Sequence, residues 1–305
     1  MYTELKPSRT ALIACLMRAI HSQYDPSPLI DDTWADRLVV PDERREIAAA
    51  ALHAFDPDRR EAMKSQEPDA ILRAAWRGTP IYGGVIIRTR FTEEKVQAAV
   101  ERGVRQYVII GAGFDSFAMR QLPFARDLQV FEVDHPASQA LKRNRLLASG
   151  ASLPPNLHFV QADLGQEALG TALARSSYQF DQPAIMSWLG VTVYLTREAN
   201  IATFRSIAQF AAPESELVFT YIENAVLHSS SPRMQRARAV AAAIGEPWIC
   251  GFDSVKLGSQ LSAMGLDLAE DWDGADMQAR YCQNRTDAFT PSRTGRIALA
   301  RVMPR

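Results

Sequence analysis

Apolar residues in the N-terminal third of the chain recur every three or four positions, which is the spacing of one face of an amphipathic helix. Helices are therefore expected over residues 8–22, 41–55, 66–77 and 91–102. Gly78 and Pro80, followed by Gly83 and Gly84, predict breaks in the chain before the last of these helices. Thr92, with acidic residues directly behind it, is the predicted N-cap of that last helix.

From Tyr107 onward the pattern changes to short, almost wholly apolar runs that alternate with helical segments such as 197–211. Runs of this kind are typical of parallel strands buried on both faces. The predicted strands are Tyr107–Ile110, Leu128–Val133, Leu157–Gln161, Pro183–Trp188, Glu216–Tyr221, Leu266–Trp272 and Arg296–Val302. Strands that alternate with helices indicate βαβ units. The predicted fold class is therefore α/β, with a doubly wound, mostly parallel seven-stranded sheet.

This pattern divides the chain into an N-terminal helical cap, residues 1–95, and a sheet domain, residues 96–305. Within the sheet domain, residues from about 223 to 252 separate the fifth predicted strand from the sixth and form an insertion. Its serine-rich start at 229–231 predicts a hinge, and the alanine-rich stretch that follows predicts a lid helix.

The composition is that of an ordinary globular protein, with 47% apolar and 23% charged residues. A net charge of −1, with both signs mixed along the chain, makes neither nucleic acid nor an anionic membrane an expected partner. The sequence contains no run of about 18 apolar residues, which is the length needed to cross a membrane. Arg18 interrupts the N-terminal apolar run, which argues against a signal peptide. We therefore expect a soluble, cytoplasmic protein.

The residues that commonly hold disulfides or metal ions show no suitable spacing. The three cysteines, Cys15, Cys250 and Cys282, are far apart and form no CxxC pair. The five histidines form neither an HxH nor an HExxH motif. We therefore expect neither a disulfide framework nor a metal site.

The clearest chemical motif is the sequence GAGFDS, which directly follows the first predicted strand. Gly111 and Gly113 allow a tight turn and leave no Cβ between the backbone and a ligand. Asp134 follows at the end of the second strand, where a carboxylate can accept hydrogen bonds from both hydroxyls of an adenosine ribose. These residues lie at the carboxyl ends of parallel strands, where α/β sheets bind their ligands.

A glycine turn without a ligand is the simpler interpretation of this motif, and an NAD site is a second alternative. The acid at the end of the next strand favours a nucleotide-type ligand over an empty turn. Ser116 occupies the position of the third glycine of a dinucleotide motif, and Pro123 interrupts the helix that should follow. Both features disfavour a pyrophosphate-binding NAD site.

Asp163 ends the third predicted strand in the sequence FVQADL. Its carboxylate and the amide of Leu164 could face the edge of an adenine ring. An N-cap of the next helix is an equally good interpretation of Asp163, because aspartate is a favoured N-cap residue.

Four ordered segments carry a resemblance to a known family: RTRFTEEKVQAAVERGVRQYVIIGAGFDSFAMR, VFEVDHPASQALKRNRLL, HFVQADL and WLGVTVYLTREA. Together they resemble the leucine carboxyl methyltransferase family, and within it the bacterial branch of S-adenosylmethionine-dependent enzymes. The similarity extends from about Thr10 to the C-terminus and is strongest over 88–134. It implies a Rossmann-like class I methyltransferase fold with S-adenosylmethionine as the cofactor.

The resemblance also implies roles for particular residues. Arg88 would pair with the methionine carboxylate, Gly111 and Gly113 would form the glycine loop, Asp134 would bind the ribose, and Asp163 and Leu164 would contact adenine. Arg90 is the alternative to Arg88, and Glu132 is the alternative to Asp134.

The sequence departs from the family pattern at two positions. Leu189 stands where the family commonly has a glutamate, and Phe117 stands where the bacterial branch often has an arginine. These changes affect the assignment of the acceptor more than that of the cofactor. No catalytic residue can be assigned, and the candidates for the acceptor site are Tyr194, Tyr221, His228, Tyr281 and Arg285.

The expected function is methylation of a hydroxyl or carboxyl oxygen of a small-molecule acceptor. A carboxylate needs no general base, whereas a hydroxyl needs one or a low pKa. Carboxyl methylation of a protein or peptide C-terminus is the alternative. An NAD-dependent oxidoreductase and a non-catalytic cofactor-binding protein are further alternatives. The sequence leaves the oligomeric state open.

Overall fold

The computed structural model describes residues 8–243 and 245–304 of the 305-residue chain. Within them, strands form one seven-stranded sheet in the order β3-β2-β1-β4-β5-β7-β6. The strands are β1 (Gln106–Ile110), β2 (Gln129–Asp134), β3 (Leu157–Gln161), β4 (Ile185–Trp188), β5 (Glu216–Ile222), β6 (Leu266–Trp272) and β7 (Gly295–Val302). Only β7 runs antiparallel to its neighbours, β5 and β6, in this part of the chain. The predicted mostly parallel, doubly wound sheet is confirmed.

Helices cover both faces of the sheet. They are α1 (Arg9–Tyr24), α2 (Pro41–Ala51), α3 (Pro57–Met63), α4 (Pro68–Trp76), α5 (Pro80–Glu101), α6 (Phe117–Arg120), α7 (Pro136–Ala148), α8 (Leu169–Leu173), α9 (Arg197–Phe210), α10 (Asn224–Leu227), α11 (Pro232–Ala243), α12 (Ser254–Ser262) and α13 (Gly274–Tyr281). The helix predicted in the insertion corresponds to α11. No helix in the described ranges combines the length and the apolar character needed to cross a bilayer.

Alternate residues of β1 point into two different apolar cores. Tyr107 and Ile109 pack into the core that contains buried residues of α1 and α5, whereas Val108 and Ile110 pack into the core with α8 and α9. This alternation follows from the two-residue period of a strand. The N-terminal helices therefore supply one of the two layers that cover the sheet.

Helix α5 corrects two of the predictions made from sequence. It begins at Pro80, where the hydroxyl of Thr79 accepts a hydrogen bond from the amide of Tyr82 at 3.4 Å, and it continues through Gly83 and Gly84. Thr92 is therefore an interior residue and not an N-cap. The division predicted between residues 95 and 96 falls inside this single helix.

Tertiary packing explains why glycines interrupt the pattern of α5 without ending the helix. A Cβ atom on Gly83 would lie 1.8 Å from the carbonyl oxygen of Thr290, and one on Gly84 would lie 3.0 Å from Cβ of Ser292. The two glycines thus let the segment 290–292 pass directly over the helix. Close backbone approach is a regular reason for glycine inside an element.

Candidate functional site

The glycine loop between β1 and α6 lies at the point where the strand order reverses. Gly111 and Gly113 have φ values of 69° and 50°, which favour glycine. A Cβ atom on Gly111 would lie 2.8 Å from Cγ2 of Val191, and one on Gly113 would lie 3.2 Å from Cβ of Ala11. The loop is therefore enclosed between α1 and the segment that follows β4. Ligands of α/β sheets bind at such a reversal of strand order.

Asp134 ends β2 beside this loop. Its Oδ2 accepts a hydrogen bond from the amide of Gly113 at 2.5 Å, and its Oδ1 accepts one from the amide of His135 at 2.7 Å. Burial raises the pKa of Asp134, and these two backbone hydrogen bonds oppose the shift. The two amides fix the carboxylate, and each oxygen retains a lone pair with which it can accept a ligand hydroxyl.

Glu132, the alternative to Asp134, is committed elsewhere. Its carboxylate forms a buried ion pair with the ammonium of Lys142 at 2.5 Å, and both side chains are 1% exposed. Burial raises the pKa of Glu132 to about 7, although Lys142 lowers it. Glu132 lies beneath the strand end, between β2 and α7, and is not presented to a ligand.

Arg88 lies on α5 with its guanidinium against Gly190, where an added Cβ would be 2.5 Å from Nη1. Among the described residues, no carboxylate oxygen lies within 4.0 Å of this guanidinium. Burial lowers the pKa of Arg88 to about 10, so the group is still charged at neutral pH. A half-buried cation without a counter-ion is costly, and a bound carboxylate would offset that cost.

Arg90, the alternative to Arg88, is an exposed surface residue. Its Nε donates to the carboxylate of Glu94 at 2.8 Å, one helical turn further along α5. Such an exposed pair is an ordinary feature of a helix surface. The structure thus presents Arg88, and not Arg90, to the glycine-loop edge of the sheet.

Asp163 follows β3 but does not cap a helix. Its Oδ1 accepts from the amide of Gly165 at 3.0 Å and its Oδ2 accepts from the side-chain amide of Gln166 at 2.7 Å. Because α8 begins only at Leu169, the N-cap interpretation of Asp163 was wrong. The residue instead closes a turn. Leu164 is partly buried against the core on the α8 and α9 side of the sheet.

Helix α1 forms a fixed wall of the site through contacts that the sequence did not reveal. The guanidinium of Arg18 pairs with Asp32 at 2.8 Å and donates to the carbonyl oxygen of Phe114 at 2.6 Å. The hydroxyl of Ser116 donates to the same carboxylate of Asp32 at 2.6 Å. The only signal of this network in the sequence was an arginine inside the apolar run of α1.

The insertion contacts the beginning of α1 and the segment that follows β4. The amide of Thr10 donates to Oε2 of Glu246 at 3.2 Å, and the Thr10 hydroxyl also bonds this carboxylate. The amide of Ile249 donates to the carbonyl oxygen of Val193 at 2.7 Å. We call this arrangement of Thr10, Glu246 and the 246–250 segment the roof.

Tyr194 is the acceptor candidate that lies beneath the roof. Burial raises its pKa, and hydrogen bonds with the side chains of Thr10 and Trp248 oppose the shift. Its hydroxyl also interacts electrostatically with Arg88. Tyr194 and Arg88 are therefore brought together, as members of one site should be.

The other acceptor candidates have partners of their own or lie on the surface. The hydroxyl of Tyr221 donates to Asp271 at 2.8 Å, and the hydroxyl of Tyr281 donates to Glu94 at 3.0 Å. Arg285 forms two hydrogen bonds to Asp287, at 2.9 and 2.7 Å. Tyr221, Tyr281 and Arg285 are thus explained by structural contacts, and His228 is exposed at the end of α10.

Comparison with known proteins gives relatives for almost the whole chain. A family model described as leucine carboxyl methyltransferase matches residues 11–208. The Bacillus subtilis (strain 168) protein named "Putative S-adenosyl-L-methionine-dependent methyltransferase YktD" is 31% identical over 294 residues, covering 94% of this chain and 95% of its own. A protein of Mycolicibacterium gilvum (strain PYR-GCK) with the same description is 32% identical over 222 residues, covering 71% of this chain and 66% of its own.

Two crystal structures share the fold. That of a Thermobifida fusca YX protein titled a putative methyltransferase matches with a TM-score of 0.58 at 17% identity, over 98% of this chain and 96% of that one. That of a DUF574 family protein from Streptomyces avermitilis MA-4680 matches with a TM-score of 0.58 at 16% identity, over 97% of both chains. At these identities the likeness concerns the fold alone.

Proposed function

The chain belongs to the leucine carboxyl methyltransferase family, and from this we propose that it methylates an oxygen atom of a small molecule. It is an S-adenosylmethionine-dependent methyltransferase. Family membership removes the support for an NAD-dependent oxidoreductase, which Ser116 already disfavoured. The identity of the acceptor is the part that is proposed.

The observation that carries the cofactor assignment is the guanidinium of Arg88, which is charged and has no carboxylate partner among the described residues. It fits the methionine carboxylate in charge and in its capacity for two parallel hydrogen bonds. Asp134, fixed by two backbone amides, would accept the ribose hydroxyls. The turn at Gly111 and Gly113 would carry the cofactor beside Asp134, and Asp163 with Leu164 would border adenine.

S-adenosylmethionine, when bound, supplies a methyl group that is already activated by the positive charge on its sulfur. The chain therefore needs mainly to align an acceptor oxygen and to exclude water. The bonds from Arg18 hold α1 against the glycine loop, and the contact of Thr10 with Glu246 would cover a cofactor held by Arg88. An enclosed site of this kind suits a small acceptor.

The phenol of Tyr194 beneath the roof suits a carboxylate acceptor better than an alcohol. An alcohol must lose its proton, which requires a general base. Because burial raises the pKa of Tyr194, its phenol is protonated at neutral pH and can donate a hydrogen bond but not accept a proton. A carboxylate is already ionised and needs only to be oriented.

Methylation of a protein or peptide C-terminus is the second candidate, because the matching family model is described by carboxyl chemistry on leucine. The roof argues against it, since a protein tail would have to pass between α1 and the 246–250 segment.

Turnover of S-adenosylmethionine to S-adenosylhomocysteine tests the proposal. Three acceptor panels are compared: small carboxylates, small alcohols and phenols, and peptides with free C-termini. We expect product with small carboxylates. Product with peptides alone would replace the proposal by its alternative, and tight cofactor binding without turnover of any panel would favour a non-catalytic role.

A further inference from the structure

The hydroxyl of Tyr194 lies where three parts of the chain meet, which are α5, α1 and the insertion. Its neighbours there are Arg88, Thr10 and Trp248. We propose that Tyr194 is a positioning residue that couples the roof to the cofactor: the joined roof orients Arg88 for the cofactor carboxylate, and the bound carboxylate in turn stabilises the joined roof. This inference rests on the cofactor contact proposed for Arg88.

The segment 190–194, which we call the bracket, is fixed from below. The amide of Gly190 donates to the hydroxyl of Thr220 on β5 at 2.7 Å, and the hydroxyl of Thr192 donates to the carbonyl oxygen of Thr220 at 2.6 Å. The side-chain amide of Asn200, on α9, donates to the carbonyl oxygen of Thr192 at 2.9 Å. The backbone that carries Tyr194 is therefore held to both a strand and a helix.

The insertion is attached to this bracket and to α1 at the same time. The carbonyl oxygen of Val193 accepts from the amides of Ile249 at 2.7 Å and Cys250 at 3.2 Å. On the other side, the carboxylate of Glu246 accepts from the amide of Thr10 at 3.2 Å and from the Thr10 hydroxyl. The side chain of Tyr194 thus lies between two attachment points of the insertion.

The direction of each side-chain hydrogen bond follows from the groups involved. An indole N–H can only donate, so Trp248 donates to the oxygen of Tyr194. A carboxylate can only accept, so the hydroxyl of Thr10 donates to Glu246. The bond between Tyr194 and Thr10 must then be donated by Tyr194, because the Thr10 hydroxyl proton is already used. Bonds in such a chain strengthen one another, so the loss of one member weakens the others.

Arg88 is the neighbour that can use the remaining lone pair of Tyr194. A phenol oxygen has two lone pairs, and Trp248 takes one of them. The guanidinium of Arg88 lies against Gly190 and interacts electrostatically with Tyr194, so both of these neighbours belong to the bracket. A guanidinium binds a carboxylate through a planar fork, so its affinity depends on where the fork points. A roof that fixes the Tyr194 hydroxyl therefore helps to orient Arg88.

The coupling acts in both directions. If the joined roof raises the affinity of Arg88 for a carboxylate, the bound carboxylate must favour the joined roof by the same factor. A ligand without the carboxylate lacks this effect. The roof is then most stable when the cofactor is present, which is when water must be kept from the methyl group.

Two ligands that differ only in the carboxylate test the coupling. S-adenosylhomocysteine carries this group, and its decarboxylated analogue keeps the amine and the nucleoside. In calorimetry with wild type, the Kd of the analogue should be at least about tenfold higher, because Arg88 loses its partner. Tyr194→Phe should weaken S-adenosylhomocysteine about fivefold, as expected for one lost hydrogen bond, and change the analogue less than about twofold.

Tyr24 provides the matched control for the loss of a tyrosine hydroxyl. It is the last residue of α1, it is exposed, and its hydroxyl donates to Asp69 at 3.0 Å. Tyr24→Phe should leave the Kd of both ligands within about twofold of wild type.

A pair of variants at Thr10 tests the chain of hydrogen bonds at another member. Thr10→Val keeps the shape of the side chain but removes the hydroxyl, whereas Thr10→Ser keeps the hydroxyl. Thr10→Val should weaken S-adenosylhomocysteine and spare the analogue, as Tyr194→Phe does, and Thr10→Ser should behave as wild type. This pair carries the test if Tyr194→Phe does not fold.

The fluorescence of Trp248 reports on the roof directly. Its contribution is the difference in emission between wild type and Trp248→Phe, which removes one of the five tryptophans. At saturation, S-adenosylhomocysteine should change this contribution, because the bond from Trp248 to Tyr194 becomes more populated. The decarboxylated analogue should change it much less, and in Tyr194→Phe neither ligand should change it.

The outcomes separate this inference from the proposed function. Wild type that bound neither ligand would refute the cofactor assignment, and equal binding of the two ligands would refute the contact at Arg88. The coupling itself would be overturned if Tyr194→Phe weakened both ligands equally or neither, or if the emission of Trp248 responded to both ligands alike.

Discussion

Arg18 donates a hydrogen bond from its guanidinium to the carbonyl oxygen of Phe114, 2.6 Å away, and so joins the first helix to the glycine loop. Its pairing with Asp32 buries both charges, and the Asp32 side chain is 0% exposed. Removing one partner of such a pair leaves an uncompensated buried charge, which is far more costly than the pair itself. Helix α1 is therefore firmly attached to the glycine loop.

Replacing Arg88 by lysine should weaken cofactor binding. Lysine keeps the positive charge but loses the planar fork that can make two parallel bonds to a carboxylate. We expect the Kd for S-adenosylhomocysteine, measured by calorimetry, to rise about tenfold, equivalent to about 1.4 kcal/mol. Arg90→Lys is the matched control and should leave the Kd unchanged. The reverse result would transfer the role to Arg90.

Replacing Asp134 by alanine should remove the ribose contact. Each charge-assisted hydrogen bond lost costs at most about 1.5–3 kcal/mol of binding free energy. Calorimetry with S-adenosylhomocysteine should show this loss for Asp134→Ala and no loss for Asp127→Ala, an exposed aspartate just before β2. Wild-type affinity in Asp134→Ala would refute the ribose assignment.

Cofactor binding should slow hydrogen exchange in both parts that close the site. We expect slower exchange in residues 8–24 and 224–243 when S-adenosylhomocysteine binds, because closure shields their amides. The larger change should occur in the insertion, since α1 is already anchored by Arg18. Glu246→Ala, which removes the partner of Thr10, should reduce the effect in the insertion. Equal exchange with and without ligand would leave both parts with a purely structural role.

The buried carboxyl of Glu132 should make stability depend on pH. Burial raises the pKa of Glu132 from its ordinary 4.5 to about 7 in the folded protein. A carboxyl with a raised folded-state pKa stabilises the fold fully below about 4.5, and this contribution is lost as the pH rises through about 7. The slope cannot exceed about 1.4 kcal/mol per pH unit for one group.

Urea unfolding at a series of pH values measures this contribution. The free energy of unfolding of wild type minus that of Glu132→Gln should decrease as the pH rises from 4.5 to 7. A difference that stays constant over this interval would show that Glu132 keeps an ordinary pKa in the folded protein.

Replacing Gly83 by alanine should destabilise the fold. The added Cβ would lie 1.8 Å from the carbonyl oxygen of Thr290, so the backbone must shift, at a cost of about 1–3 kcal/mol. Gly258, inside α12, is the control because its added Cβ would make only ordinary contacts at 3.7 Å or more. Gly258→Ala should stabilise by about 0.5–1 kcal/mol through helix propensity. A stabilised Gly83→Ala would show that segment 290–292 is not tightly packed on α5.

The strands and the cofactor edge could be predicted from the sequence because they depend on local patterns. Leu157–Gln161 and Leu266–Trp272, for example, match β3 and β6 in full. The continuity of α5 could not be predicted, because the reason for Gly83 lies in Thr290, far away along the chain. The same holds for the partner of Arg18, since nothing local indicates that an arginine in an apolar run will meet Asp32 and Phe114.

The acceptor candidates also show that the sequence does not reveal which polar side chains are paired in the folded protein. Tyr221 and Arg285 carry suitable groups at suitable distances along the chain, but Asp271 and Asp287 bind them in the folded protein.

The position of β7 within the sheet affects how this chain is made in the cell. Residues 295–302 come last among the seven strands of the described residues, yet they lie between β5 and β6. While the chain emerges from the ribosome, β6 has no strand to pair with and β5 has an open edge until these residues are translated. Unpaired edges invite pairing with other chains. Assembly of this half of the sheet must therefore wait until β7 itself has been translated.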